Sequence, residues 1–136
     1  LKFAQSRPND SWSQVLAGRF IASGAYDRHL RTLRQTLREQ RERMAESIAG
    51  CFPAGTRLSV PSGGLAMWVE LPANVSSMEL FDAALAQGIR IAPGTMFSNL
   101  NRFDHFFRIC FGLEPSANLE AALATLGQLT QQLAER

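Results

Sequence analysis

The chain has 136 residues, enough for one compact domain that buries about two thirds of its extended surface. Its hydrophobic content of 46% and charged content of 19% are typical of a globular protein and exclude an intrinsically disordered one. A net charge of +2 is too small to indicate nucleic-acid binding by itself. Because the chain shows neither a long apolar run nor a signal-peptide pattern, we expect a cytoplasmic protein without a membrane partner.

The first part of the chain predicts two helices. Trp12 to Ala22 has apolar residues near helical spacing after Asp10 or Ser11 as a cap, and a longer helix runs from Ala25 to about Ala49. One face of the longer helix is apolar: Tyr26, Leu30, Leu33, Leu37, Met44 and Ile48. A second stripe is basic: Arg28, Arg31, Arg34, Arg38 and Arg41. We interpret this stripe as a solvated, partly paired face, since it lacks the aromatic interleaving of a nucleic-acid site.

The rest of the chain alternates strands and helices. Arg57 to Val60 and Leu65 to Leu71 predict an antiparallel hairpin around the turn Pro61 to Gly64. Ser76 or Ser77 begins a helix that ends at Ala86, with Ser76 and Glu79 as a capping box. Its inward residues are predicted to be Leu80, Phe81, Ala84 and Leu85.

A strand from Ile89 to Ala92, a loop from Pro93 to Ser98 and a strand around Arg108 follow. A last helix has the stripe Leu119, Leu123, Leu126, Leu129 and Leu133. The order predicts an α+β fold: a small, mainly antiparallel sheet covered by helices on one face, preceded by a long helix.

The segment Phe106 to Gly112 carries the main candidate for function. Its aromatic and β-branched residues predict a strand buried on both faces, and Arg108 interrupts that apolar run. An arginine is almost never fully buried without a partner, so Arg108 needs an anion there. Three interpretations stay open from the residues alone: a structural ion pair, an edge-strand arginine that faces water, and a ligand site.

Other reactive residues form no recognisable site. Cys51 and Cys110 are predicted to be free, buried thiols. His29 and His105 lie far apart without ligand partners at metal spacing, so no metal site is expected. Lys2, the single lysine, lies at the end of the chain, a poor place for a Schiff-base amine. No catalytic residue is predicted within this chain.

Four motifs in order resemble pyridoxal-phosphate-dependent aminotransferases of fold type I. Gly24 to Arg31 resembles the helix that joins the large and small domains, and Pro61 to Pro72 resembles the small-domain hairpin. Gly88 to Ser98 is similar to the loop that faces the active site, and Phe107 to Gly112 to the strand whose arginine binds the substrate carboxylate. Within that superfamily the sequence motifs are most similar to those of the effector domains of MocR-type regulators, which belong to the GntR family of transcription regulators.

The resemblance implies that the chain is part of a longer protein. The absence of an initiator Met before Leu1 is consistent with this expectation. Residues 1–23 are then a linker and short helix from a missing large domain, and residues 24–136 an aminotransferase-like small domain. Arg108 would bind the carboxylate of an amino acid or amino compound. Gly64, Met96 and Phe97 would belong to the pocket wall.

The resemblance further implies that the parent protein binds pyridoxal phosphate through a lysine in its large domain and DNA through a winged-helix domain. It implies a homodimer as well. An alternative is the small domain of a class I/II aminotransferase enzyme, and a third interpretation is a free-standing interaction module. The sequence upstream of Leu1 would distinguish the first two.

Overall fold

The computed structural model describes residues 10–100 and 102–136, which form an α+β fold. The elements are α1 (Ser11–Ala22), α2 (Ala25–Cys51), β1 (Arg57–Ser59), β2 (Ala66–Glu70), α3 (Ser77–Ala86), β3 (Ala92–Pro93), a 3-10 turn (Gly94–Phe97), β4 (Phe106–Cys110) and α4 (Ala117–Ala134). The predicted fold class is confirmed. Lys2 lies outside the described residues. Within residues 10–100 and 102–136, each helix is too short or too polar to span a lipid bilayer.

The chain divides into two compact units, one reaching to Thr36 and one running from Leu37 to Arg136. In the first unit, α1 begins at Asp10, whose carboxylate accepts hydrogen bonds from the Ser13 amide at 2.8 Å and the Ser13 hydroxyl at 2.7 Å. These bonds stabilise the charged form, with the hydroxyl contributing most, and hold the pKa of Asp10 below its usual value. Gly24, with a φ of 70°, separates α1 from α2.

The apolar side chains of α1 are exposed. None of its residues is buried, although Trp12, Val15, Leu16, Phe20 and Ile21 have near-helical spacing. The ring of Phe20 meets the ring of Tyr26 edge to face, with 6.3 Å between the centroids. The local pattern therefore forms the predicted helix without forming a core around it.

In the second unit the sheet is antiparallel, with strand order β1-β2-β4-β3. The predicted hairpin is present, and β2 pairs with β4 in a register that sets Val69 opposite Phe107. The strand predicted over Ile89 to Ala92 is wrong in position, because β3 covers only Ala92 and Pro93. The Ile89 amide donates instead to the Ala84 carbonyl at 2.9 Å, so these residues finish α3 before the chain can join the sheet.

The core lies on one face of the sheet. Met67 and Val69 of β2 and Phe107 of β4 are at most 1% exposed. Helices α2, α3 and α4 cover them with Met44, Ile48, Leu80, Ala84, Leu123, Leu126 and Leu133. This arrangement matches the predicted layer of helices on one side.

Helix α3 contains one confirmed and one wrong prediction. Ser76 is its N-cap, because the hydroxyl accepts from the amides of Met78 at 3.3 Å and Glu79 at 3.5 Å. Leu85 was expected to face inward, but it is 48% exposed. Leu80 and Ala84 form the buried row one turn apart, and Leu85 lies a further 100° or so around the helix, on the solvent side.

Candidate functional site

Strand β4 is buried on one face only. Phe107 is fully buried, whereas Arg108 and Cys110 are exposed, so the predicted burial of both faces is wrong. Successive side chains in a strand point to opposite faces, and helices cover only the Phe107 side. The prediction of buried thiols is also wrong, since Cys51 and Cys110 are free but exposed.

Arg108 lies on the open face of the sheet, opposite Trp68 of β2. Its strand pairs with β2 on one side and β3 on the other, so the edge-strand interpretation is wrong. Its guanidinium carbon lies 4.5 Å from the centroid of the Phe97 ring. In the part of the chain that the structure describes, the ion pairs join Arg41 to Glu42 and Arg57 to Glu70, and none includes Arg108. A structural ion pair within these residues therefore does not explain this arginine.

Aromatic rings pack around Trp68, the cross-strand partner of Arg108 on the open face. The Trp68 ring centroid lies 5.2 Å from that of Phe97, 5.4 Å from that of Phe103 and 6.3 Å from that of Phe106. Phe103 and Phe106 also meet edge to face at 5.7 Å. Such offset and edge-to-face pairs are favourable beyond the area that they bury. We call Trp68, Phe97, Phe103 and Phe106 the aromatic cluster.

The 3-10 turn carries two of the residues predicted for the pocket wall. It begins at Gly94, where an added Cβ would lie 2.7 Å from both the Phe103 Cβ and the Phe106 carbonyl oxygen, and closer still to the Phe103 carbonyl oxygen. Only a glycine allows this approach, which brings the turn against the start of β4. The structure places Phe97 against Arg108, whereas Met96 at the same turn is 71% exposed.

Gly64, the third predicted wall residue, lies in the loop between β1 and β2 with a φ of 89°. It is exposed, and a Cβ added to it would meet no other atom within 4 Å. The glycine is therefore explained by its left-handed backbone in a turn. Its assignment to a pocket wall, like that of Met96, stays a prediction.

A cleft of about 480 Å³ borders Arg108. Its lining is mainly apolar and includes Ile109 and Cys110 of β4 and Leu119 and Leu123 of α4, with Arg90 as a second cation. Ile109 and the α4 leucines belong to the helix-covered side of the sheet, whereas the Arg108 guanidinium contacts Phe97 on the open side. Another cleft, of about 350 Å³, separates α2 from α4, but its charged residues include both Arg43 and Glu46 and it does not reach Arg108. We place the candidate site at Arg108 because its cation lies on the open face beside the aromatic cluster, without an acidic partner among the described residues.

The described residues form neither a metal cluster nor a complete cofactor site. Among residues 10–100 and 102–136, no three His, Cys, Asp or Glu side chains lie close enough to hold a metal ion. His105 has a structural contact instead, with 3.0 Å between its Nδ1 and the Val75 carbonyl oxygen. Pyridoxal phosphate needs a lysine for a Schiff base, and the part of the chain in view contains none, so these residues alone do not fit that cofactor.

No protein-family model matches the chain. Curated proteins do. The uncharacterized HTH-type transcriptional regulator YdcR of Escherichia coli K12 is 34% identical over 113 residues, which are 83% of this chain and 24% of the regulator. The uncharacterized HTH-type transcriptional regulator YjiR of the same organism is 28% identical over 135 residues, 99% of this chain and 29% of the regulator. The aromatic-amino-acid aminotransferase 1 of Thermococcus litoralis is 22% identical over 123 residues, 90% of this chain and 30% of the enzyme.

Solved structures show the same fold. The multiple substrate aminotransferase of Thermococcus profundus matches with a TM-score of 0.80 at 22% identity, covering 90% of this chain and 30% of the enzyme. The kynurenine aminotransferase of Pyrococcus horikoshii matches with a TM-score of 0.78 at 24% identity, covering 88% of this chain and 30% of the enzyme. At these identities the match establishes the fold.

The resemblance inferred from the sequence motifs is confirmed. The homologues of the chain are MocR-type HTH regulators and aminotransferases, and its structural neighbours are pyridoxal-phosphate aminotransferases that cover about 90% of it. The chain spans between about a quarter and a third of the length of the curated relatives it matches.

Proposed function

We propose that this chain is the C-terminal part of an aminotransferase-like effector domain in a GntR/MocR-type transcription regulator. In this proposal Arg108 binds the carboxylate of an amino acid or amino compound. The large domain would supply the lysine and the rest of the site for pyridoxal phosphate, which provides the electron sink in this chemistry. A winged-helix domain would bind DNA.

The observation that carries the proposal is the environment of Arg108. The side chain is exposed on the open face of the sheet, next to the aromatic cluster, and its one described side-chain contact is a phenylalanine ring. A guanidinium offers a planar fork of N–H donors that matches a carboxylate with two parallel hydrogen bonds. With no acidic partner in the described part of the chain, that fork is available to a ligand.

The remaining assignments belong to the same proposal. Residues 1–23 would be the linker and short helix from the large domain, and residues 24–136 the small domain. Binding of the ligand carboxylate by Arg108 would favour a closed arrangement of small and large domains, which gives the regulator two states to relay. The parent would be a cytoplasmic homodimer, which sedimentation of the full-length protein would test.

The test is to replace Arg108 in the full-length protein and to titrate the twenty standard L-amino acids separately by calorimetry. Arg108→Ala should weaken binding about 30- to 150-fold, equivalent to about 2–3 kcal/mol, because a charged bidentate partner is lost. Arg108→Lys should bind with an affinity between those of the unmodified protein and Arg108→Ala, since lysine retains the charge but not the planar fork of donors.

The matched control is Arg57→Ala. Arg57 lies on the same face of the sheet, is exposed, and is joined to Glu70 at 3.7 Å, a surface pair of little energetic weight. This variant should bind amino acids like the unmodified protein. If Arg108→Ala binds every amino acid as well as the unmodified protein does, Arg108 is not the carboxylate site.

The second candidate is an aminotransferase enzyme, favoured by the structural neighbours, which are enzymes. The reading frame upstream of Leu1 separates the two candidates. A winged-helix sequence followed by a lysine-bearing large domain supports the regulator. A lysine-bearing large domain without the winged helix, together with transfer of amino groups to pyruvate by the purified protein, supports the enzyme.

A further inference from the structure

Arg108 contacts the face of an aromatic ring, not an acidic group. Its guanidinium carbon lies 4.5 Å from the Phe97 centroid, well within the distance of a cation–π interaction. A cation–π contact draws the positive charge toward the ring face and pairs none of the guanidinium N–H donors with an oxygen acceptor. The guanidinium carries five such donors in a planar fork. The contact therefore restrains the cation without using the hydrogen bonds that a carboxylate needs.

Phe97 is itself held in place by the aromatic cluster. The Trp68 ring meets it edge to face, with 5.2 Å between centroids and 78° between planes. Trp68 is also the direct cross-strand partner of Arg108 in the pairing of β2 with β4. Arg108, Phe97 and Trp68 thus form a set joined by one cation–π contact, one edge-to-face ring contact and one cross-strand pairing. Two of its members lie on paired strands, and the third ends a turn that is packed tightly through Gly94.

We propose that Phe97, supported by Trp68, is a positioning residue that fixes the Arg108 guanidinium with its hydrogen-bonding edge free for a ligand carboxylate. This inference rests on the carboxylate-binding function proposed for Arg108. An arginine side chain has many rotamers, and restraining it before the ligand arrives reduces the ordering cost of binding. The role differs from that of a pocket wall, because it requires an aromatic ring and not merely an apolar surface.

The direct test is spectroscopic and needs no ligand. In the 136-residue chain, the Arg108 Hδ and Hε protons should resonate upfield, because the guanidinium carbon close to both lies 4.5 Å from the Phe97 centroid. Phe97→Leu keeps apolar volume but removes the ring, so these shifts should return to values typical of an unstacked arginine. Phe97→Tyr should retain them.

Phe103→Leu is the matched control, since Phe103 contacts Trp68 in the same cluster and has no described contact with Arg108. It should leave the Arg108 shifts in place. If Phe97→Leu leaves the shifts unchanged as well, the ring does not position the arginine and the inference is wrong.

The second measurement is the calorimetric titration of the twenty L-amino acids with the full-length variants. Phe97→Leu should weaken binding about two- to fivefold, the range of an exposed cation–π contact, and Phe97→Tyr should restore it. Loss of the upfield shifts without any loss of affinity would overturn the positioning role. If Arg108→Ala binds as tightly as the unmodified protein, the carboxylate site itself is overturned, an outcome that the Phe97 variants cannot produce.

Discussion

The two units of the chain use the same sequence signal with different results. From Leu37 onward, apolar residues at strand and helix spacing close around Phe107, Val69 and Leu80, all of which are completely buried. In the first unit, α1 also has apolar residues near helical spacing, although they are less concentrated on one face, and yet Trp12 is 77% exposed and no residue of the helix is buried. An apolar period thus specifies a helix, but the partner that covers it is not part of the local pattern.

The same contrast places the candidate site. Within the second unit one face of the sheet is closed by helices and the other holds Arg108 and the aromatic cluster without a covering layer. The face covered by helices provides stability through its buried side chains, and the open face leaves polar groups such as the Arg108 guanidinium available to a ligand. The effects of substitutions should therefore differ in size between the two faces and between the two units.

The largest effect is expected in the closed core. Phe107→Ala should lower the free energy of unfolding by about 3–5 kcal/mol, because it removes a fully buried ring that stacks on Phe52 at 6.1 Å and leaves a cavity. Urea denaturation followed by circular dichroism measures it. The neighbouring Arg108→Ala should change stability by no more than about 1 kcal/mol, since that side chain is exposed and loses only its cation–π contact. Equal losses in both variants would contradict the one-sided core.

A smaller effect is expected at the turn that supports the site. Gly94→Ala should cost about 1–3 kcal/mol, because the new methyl group would press on the backbone of Phe103 and Phe106. It should also move Phe97 and so reduce the upfield shifts of Arg108. Gly63→Ala is the control, since an added Cβ there meets nothing within 4 Å and the residue needs no left-handed backbone. A Gly94 variant as stable as the Gly63 variant would show that the turn can adjust freely.

Local features of the fold were predictable from sequence because they depend on neighbouring residues. The caps at Asp10 and Ser76 follow from short side chains that reach amides two or three positions later. The leucine stripe of α4 follows from helical spacing, and Leu123, Leu126 and Leu133 are indeed buried. These elements needed no knowledge of the rest of the molecule.

The wrong predictions depend on which surfaces meet. Burial of both faces of β4, burial of Cys110 and the inward direction of Leu85 all assumed a covering layer that the structure does not have there. The strand at Ile89 failed because the chain first completes the end of α3. In each case the residue type was compatible with either outcome, and tertiary packing decided it.

The candidate site was only partly visible in the sequence. Arg108 is visible in the sequence as a charge within an apolar strand. Phe97 is visible through the resemblance of the loop that contains it, Gly88 to Ser98. Their contact depends on the turn that packs against the start of β4 through Gly94, and the place of Trp68 opposite Arg108 depends on the register between β2 and β4, two strands far apart along the chain. The aromatic residues at alternate positions of a strand show which residues share a face, but they do not show which strand pairs with which.

The smallest effect is expected in the first unit, where local hydrogen bonds and not burial fix the start of α1. The Ser13 hydroxyl and amide hold the pKa of Asp10 below its usual value. The stabilisation of the helix start by the charged carboxylate is therefore fully present when the pH is above the usual pKa, and it is lost as the pH falls through the lowered pKa. Ser13→Ala removes the hydroxyl bond and should move the pKa of Asp10 upward, as measured by the carboxyl carbon shift during an acid titration. Ser11→Ala is the control, because the carboxylate bonds described at Asp10 come from Ser13 and not from Ser11. An unchanged pKa in the Ser13 variant would mean that the amide alone stabilises the charge, and α1 would then begin with one useful bond instead of two.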